Sequence, residues 1–420
     1  MTRGSCIRPL AGPLALALLL TFSAPAPGAE DEDRAAIQEL LDERASALLV
    51  GDFGGFMDTI RRNQAFRERQ RLMFEGFQQL PLADYRLVAN WDRYGDLARR
   101  QDRNRYFDSD AVAIVLVEER YRIGGFDREA AVEDAYLTFV QEDGEWLIAD
   151  DNDLDDLGLY TARHPWDFGP IRVDRAGRFL VISDAGRGCA PVPPGLTDQA
   201  EAGIDRVRDY WTARWHKRVV LVVPCNGGRL QRILQATFDP SQFVAFAYST
   251  VDTERDYDYT GHRVIVNPPV FSGRPASQVL TIMAHELLHV ASRDISGPFV
   301  PLFVDEGIAD LVGYGTADRA LAYFDAVVSS GGFDGKLPND FQFSTGSGDE
   351  IFLSYQKSQS AMRFFVSRWG LEALDRFYEN LGKRTYVVGL ARWHVDDALR
   401  ATVGIGLDRF EREWTASIGS

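Results

Sequence analysis

Histidine and cysteine are both scarce in this chain, with six and three among 420 residues. Any ordered histidine pattern is therefore informative, and the cysteines leave room for a single disulfide. Positive charge is in deficit as well. The formal net charge is −16 with the acidic residues dispersed, which argues against nucleic acid or an anionic membrane as a partner. The basic residues are overwhelmingly arginine, a mark of genome composition. Low-complexity tracts and repeats at a solenoid period are absent, so a repeat architecture is excluded. What is there is ample apolar material: 45% of the residues are hydrophobic, enough for two or more well-packed domains.

The N-terminus reads as an export signal over residues 1–29. Arg3 and Arg8 precede an apolar run from Leu10 to Leu20, and small residues and prolines follow up to Ala29. The run is too short for an ordinary membrane span, which leaves cleavage near Ala29 or an uncleaved anchor. Cys6 precedes the apolar run and so cannot be an acylation cysteine after it. Removing it leaves Cys189 and Cys225, an even number in an exported chain. One disulfide between them would stabilise the fold by roughly 3–4 kcal/mol in the chain-entropy model. Two buried free thiols are the alternative.

The stretch richest in chemistry is His285-Glu286-Leu287-Leu288-His289. Two residues four apart on a helix share a face with Cβ atoms about 5–6 Å apart, so both imidazoles can meet one metal ion. Glu286 then lies beside that ion, where a carboxylate can take a proton from metal-bound water. The flanks are helical: Pro275 suits a first turn, and Val279, Ile282, Met283, Leu287 and Val290 form a core stripe. With six histidines the pattern would arise by accident on the order of 1% of the time. The bland alternative is a buried helix whose histidines merely hydrogen-bond. Downstream, residues 301–310 read as a second short helix that puts Glu306 and Asp310 on one face.

At these residues the chain resembles the gluzincin metallopeptidases, the thermolysin-like and aminopeptidase N-like clan, whose pattern is HExxH followed by a glutamate ligand in an E-G-x-A-[DE] setting. The resemblance implies zinc held by His285, His289 and Glu306, Glu286 as general base, and Asp310 as the group that orients a ligand imidazole. A solvated helix face is the other reading of Asp310. Cobalt or manganese would also suit such ligands. Tyr355-Gln356-Lys357-Ser358 resembles the Tyr-x-Lys-Gly of aminopeptidase N-like enzymes, with Ser358 in place of glycine. That likeness makes Tyr355 a candidate donor to the oxyanion, against a helix-surface aromatic; His394 is a second candidate, more naturally structural. In the clan, the strand before the metal-binding helix borders the cleft, which would make Val264, Ile265 and Val266 the edge that pairs with an extended substrate. The C-terminal Gly406-to-Trp414 segment resembles the closing helix of bacterial peptidase MA-like proteins and is read as packing. The resemblance covers about residues 196–420.

The fold class expected is α+β. Residues 30–156 read as a small unit with helices at 35–50 and 63–80 and strands at 85–90, 111–123, 133–142 and 145–150, with Asp143-Gly144 as a hairpin turn. This order, ending in Gly144, Trp146 and Asp150, resembles the nuclear-transport-factor-2-like cone. No paired acid and base stands out in it, which favours a binding or structural role. Residues 157–195 read as a connector with short strands at 171–173 and 178–183, and His164 as an ordinary loop residue. Residues 196–420 would be a zincin-like metallopeptidase domain with a largely helical C-terminal part: a helix at 200–215, strands at 219–223, 242–248 and 262–266, and later helices at 317–328, 354–369, 371–381, 393–402 and 407–418. A glycine-rich loop at 331–350 reads as a lid or as disorder.

The function this implies is an exported zinc metallopeptidase that hydrolyses peptide bonds of a peptide or protein substrate. A Gly-x-Met-x-Asn stretch that anchors a substrate amino terminus is lacking, which leans the reading towards endopeptidase action. Two other readings stand beside it: an exported binding or scaffold protein with a catalytically silent zinc site, and a zinc hydrolase acting on a non-peptide amide. Oligomeric state is not legible.

Overall fold

The structure, a computed structural model, describes residues 29–235, 243–255, 257–315, 321–382 and 391–418. The export signal, apart from its last residue, lies outside these, as do Gln242 and the first residues of the helix expected over 317–328. The protein is α+β. A helical start, α1 (Ala29–Val50), α2 (Phe53–Asp58) and α3 (Gln64–Phe77), precedes β1 (Leu82–Ala89), the short α4 (Trp91–Tyr94) and α5 (Arg100–Arg105), and then β2 (Ala111–Ile123), β3 (Ala131–Glu142) and β4 (Glu145–Asp150). The four strands form an antiparallel meander in chain order, curled as a half-barrel. Asp143 and Gly144 both take positive φ, 51° and 85°, as a two-residue hairpin turn requires. α1 begins earlier than its apolar periodicity suggests, because Glu30, Asp31 and Glu32 fill its first turn and favour the positive end of the helix dipole. Asn63 caps α3 by accepting from the N–H groups of Ala65 and Phe66.

β5 (Ile171–Ala176) and β6 (Phe179–Asp184) follow, then α6 (Leu196–Tyr210), β7 (Val219–Val223), α7 (Gly227–Ile233), β8 (Ala245–Asp252), β9 (Asp258–Val266) and α8 (Pro268–Phe271). These strands make one sheet in the order β5-β6-β7-β9-β8, so the short strands of the expected connector are its first two members. The rest is helical: α9 (Ala276–Arg293), α10 (Leu302–Tyr314), α11 (Ala322–Ser329), α12 (Gly348–Trp369), α13 (Leu371–Gly382), α14 (Ala391–Val403) and α15 (Leu407–Ile418). Cys189 and Cys225 form a disulfide, so neither sulfur is left as a metal ligand. Such bonds persist in oxidising compartments. Among the described residues, no helix is long and apolar enough to cross a membrane.

The uninterrupted apolar run of β7 has a plain cause, since the strand is covered on both faces. Val219, Leu221 and Val223 point into the core shared with α6, α9 and the C-terminal helices. Val220 and Val222 point the other way, into a core shared with Val115, Val117 and Phe139 of the first sheet and with α1 and α3. The two units therefore share a continuous hydrophobic layer. A buried ion pair, Arg263 to Asp127 at 2.5 and 2.9 Å, crosses the same seam.

Segment 330–347 is an ordered strap. Lys357 Nζ bonds Asp334 at 2.7 Å, Lys336 Nζ bonds Glu411 at 2.7 Å, and Asp340 Oδ1 accepts the backbone N–H of Leu302 at 2.9 Å, at the start of α10.

Candidate metal centre

α9 and α10 cross at close range, and glycine allows it. A Cβ on Gly313 would stand 2.9 Å from the carbonyl oxygen of Thr281 and 3.3 Å from Cβ of His285. A Cβ on Gly307 would stand 2.7 Å from the carbonyl oxygen of Ser358 on α12. Gly307, directly after Glu306, thus sets how deeply the glutamate sits between α9 and α12.

His285 and His289 project from α9 towards Glu306 on α10. His285 Nε2 lies 3.2 Å from His289 Nε2 and 3.3 Å from Glu306 Oε2, and His289 Nε2 lies 3.8 Å from that oxygen. Four tetrahedral ligands at about 2.0–2.1 Å from zinc stand roughly 3.3–3.4 Å from one another, so the three atoms are spaced as the corners of one coordination sphere. All three residues are buried.

The imidazoles are oriented from behind. His285 Nδ1 is 3.2 Å from Asp310 Oδ1, and His289 Nδ1 is 3.2 Å from Asp305 Oδ1. An ionised carboxylate only accepts, so each Nδ1 carries the proton and each neutral ring turns its Nε2 lone pair inward. Two lone pairs 3.2 Å apart repel unless a cation lies between them. Burial alone would lower the pKa of His285, but Asp310 and Glu306 draw a proton and raise it to about 9, so without a cation between the ligands a second proton would sit on this ring. A donor set this attractive to a proton suits a metal ion equally well.

Glu286 is buried, and burial lifts its carboxyl above the usual range, against the pull of His285 and His289. Its Oε2 accepts the backbone N–H of Ala247 at 2.7 Å. Ala247 lies on β8, the outermost strand on that side of the second sheet among the described residues. This corrects the assignment of the edge to Val264, Ile265 and Val266: those residues belong to β9, which β7 flanks on one side and β8 on the other. The strand nearest the helix in sequence is not the outermost, because β8 and β9 form a hairpin that folds back over the edge.

Sequence reasoning placed Asp310 behind an imidazole, and the structure puts it there. It assigned no role to Asp305, which does the same for His289 and is held in turn by the Tyr378 hydroxyl at 2.6 Å. Burial would raise the Asp305 carboxyl, but His289, Arg293 and Tyr378 hold it well below the usual range. The available signal was that two ligand histidines need two partners; Tyr378, 73 residues away, had none. Tyr355 is buried on α12 with its ring edge-on to Phe343 at 5.2 Å. His394 is structural, with Nε2 donating to the carbonyl of Leu381 at 3.0 Å.

The reading of His164 as an ordinary loop residue needs correction. His164 is buried, stacked on Trp166 at 4.5 Å, with Nε2 3.6 Å from Glu119 Oε2. The Tyr85 hydroxyl donates to Glu119 Oε1 at 2.8 Å. Burial would lower the pKa of His164, but Glu133 and Glu119 raise it to about 9. The partners come from β2 and β3, so sequence spacing could not join them to the loop that carries His164. The cavity bordered by Glu119, Tyr85 and Asp167 holds only about 40 Å³, room for a few waters, so the cluster reads as a structural ion network.

The chain matches no protein-family profile, and no curated protein is recognisably similar to it. The functional reading therefore rests on the site.

Proposed function

We propose that the protein is an exported, zinc-dependent metallopeptidase of gluzincin type. One observation carries the reading: His285 Nε2, His289 Nε2 and Glu306 Oε2 converge within 3.2–3.8 Å of one another, close enough to share one metal ion, with an ionisable glutamate, Glu286, next in chain to the first ligand. Zinc held there would act as a Lewis acid and make water nucleophilic near neutral pH.

The chain's own residues account for the proton traffic and the positioning. The Ala247 N–H occupies Glu286 Oε2, which leaves Oε1 to take a proton from the attacking water and return it to the leaving amine. Burial, by raising the Glu286 carboxyl, moves its basicity towards what this shuttle needs. Since the Ala247 N–H points away from β9, an extended peptide laid along β8 would pass beside the glutamate, its backbone fixed by strand addition. Tyr355, on the helix against which Gly307 packs, is the proposed donor to the developing oxyanion.

Glu286→Gln tests the proposal. It should keep zinc and thermal stability and abolish peptide hydrolysis. Unchanged hydrolysis would remove Glu286 from the mechanism. Equal zinc content with no hydrolysis in the parent chain would favour a binding protein with a silent site.

A further inference from the structure

Beyond the C-terminal end of α9 the seam between the two units opens into a cavity of about 350 Å³, within the size range of small-molecule sites. Its wall comes from the β2–β3 connection (Asp127, Arg128), the segment leading into β7 (His216, Arg218), the start of β9 (His262) and the end of α9 (Arg293, Asp294). None of the three metal-binding residues lines it.

Among the described residues, the buried carboxylates of this wall are already committed. Both oxygens of Asp127 take Arg263, at 2.5 and 2.9 Å, and Oδ2 also takes the backbone N–H of Ile123 at 2.8 Å. Asp294 Oδ2 takes the backbone N–H of His216 at 2.5 Å, and its Oδ1 faces His262 Nε2 at 3.5 Å. Two exposed carboxylates share one cation: Glu129 is paired with Arg255 at 2.5 Å, and Asp258 stands 3.8 Å from the same guanidinium. His262 completes a relay, since Arg293 donates to Ser249 Oγ at 3.1 Å and that hydroxyl bonds His262 Nδ1 at 2.9 Å.

The donors are not all used. Among the described residues, Arg218 pairs with no carboxylate, and His216 Nε2 is buried without a hydrogen-bond partner. Arg128 reaches Asp294 only at 3.4 Å and is more than half exposed. A cavity whose buried carboxylates are spent and whose donors remain is complementary to an anion with several oxygens.

We propose that this cavity binds a small oxyanionic ligand, carboxylate- or phosphate-bearing, through Arg218, His216 and Arg128. Because these residues come from both units, the bound ligand would also tie the N-terminal unit to the metal-binding one.

Calorimetric titration of the intact chain with inorganic phosphate and, separately, with succinate tests this, with chloride at matched ionic strength as control. Saturable one-to-one binding of either anion is expected, at least tenfold weaker in Arg218→Ala and weaker in His216→Gln. Which anion saturates identifies the source of the oxygens. Arg218 is exposed, so its replacement leaves the fold intact, and anion bound at the metal centre would be untouched by it. Binding indifferent to Arg218→Ala, or no saturable binding of either anion, would overturn the proposal.

Discussion

Asp305 Oδ1 faces His289 Nδ1 at 3.2 Å, and that contact decides which ring nitrogen is left for a metal ion. With Nδ1 engaged, Nε2 turns towards Glu306, and the Tyr378 hydroxyl keeps Asp305 itself from rotating away. Asp305→Asn should weaken zinc binding by about 10–100-fold, because an amide can present its NH₂ to Nδ1 and stabilise the wrong tautomer. Competition with a chromophoric chelator measures this. Unchanged affinity would mean that the carboxylate does not orient the ring.

Gly307→Ala places a methyl where the carbonyl oxygen of Ser358 stands 2.7 Å away and Met362 Cγ 2.9 Å. Both helices must separate to admit it, at a cost of about 1–3 kcal/mol. Glu306 moves with the backbone, so zinc affinity should fall together with the midpoint of urea unfolding. A variant as stable as the parent, with parental zinc affinity, would contradict the close helix contact.

His164 predicts a pH dependence of stability. Its folded pKa, about 9, lies above the ordinary value of 6.5, so the folded state binds the proton more tightly than the unfolded chain. The stabilisation is complete below about pH 6.5 and is lost as pH rises through about 9, by roughly 1.4 kcal/mol for each unit of raised pKa. The difference in unfolding free energy between the zinc-saturated parent and His164→Gln should therefore shrink from pH 6 to pH 10. His285 is present in both proteins and cancels. A difference that does not change with pH would remove the charge from His164.

How much of this was legible in the sequence follows from what sequence spacing can encode. The i, i+4 pair of His285 and His289 and the pair of Glu306 and Asp310 are local to one helix each, and all four were placed correctly relative to their own helix. Strand β2 read cleanly because it opens as a run of β-branched and apolar residues, and β4 because the Asp-Gly turn marks its start. The sheet edge did not, because strand order depends on how the β8–β9 hairpin folds back, and β9 looks the same in sequence whether it is outermost or covered. Asp127 with Arg263, Glu119 with His164 and Asp305 with Tyr378 are separated by 136, 45 and 73 positions; nothing local announces such pairs. The first turn of α1 was missed for a different reason: it is acidic rather than amphipathic, stabilised by the helix dipole instead of by burial.

The most direct test of the central claim is cleavage of a quenched random-peptide library by the purified chain before and after chelation, with metal content measured on the same sample. The account predicts about one zinc per chain, by the ligand set of His285, His289 and Glu306, and cleavage that stops on chelation and returns with added zinc. A folded sample that binds no zinc even when it is supplied would contradict the ligand assignment, and cleavage that survives complete removal of metal would contradict the mechanism.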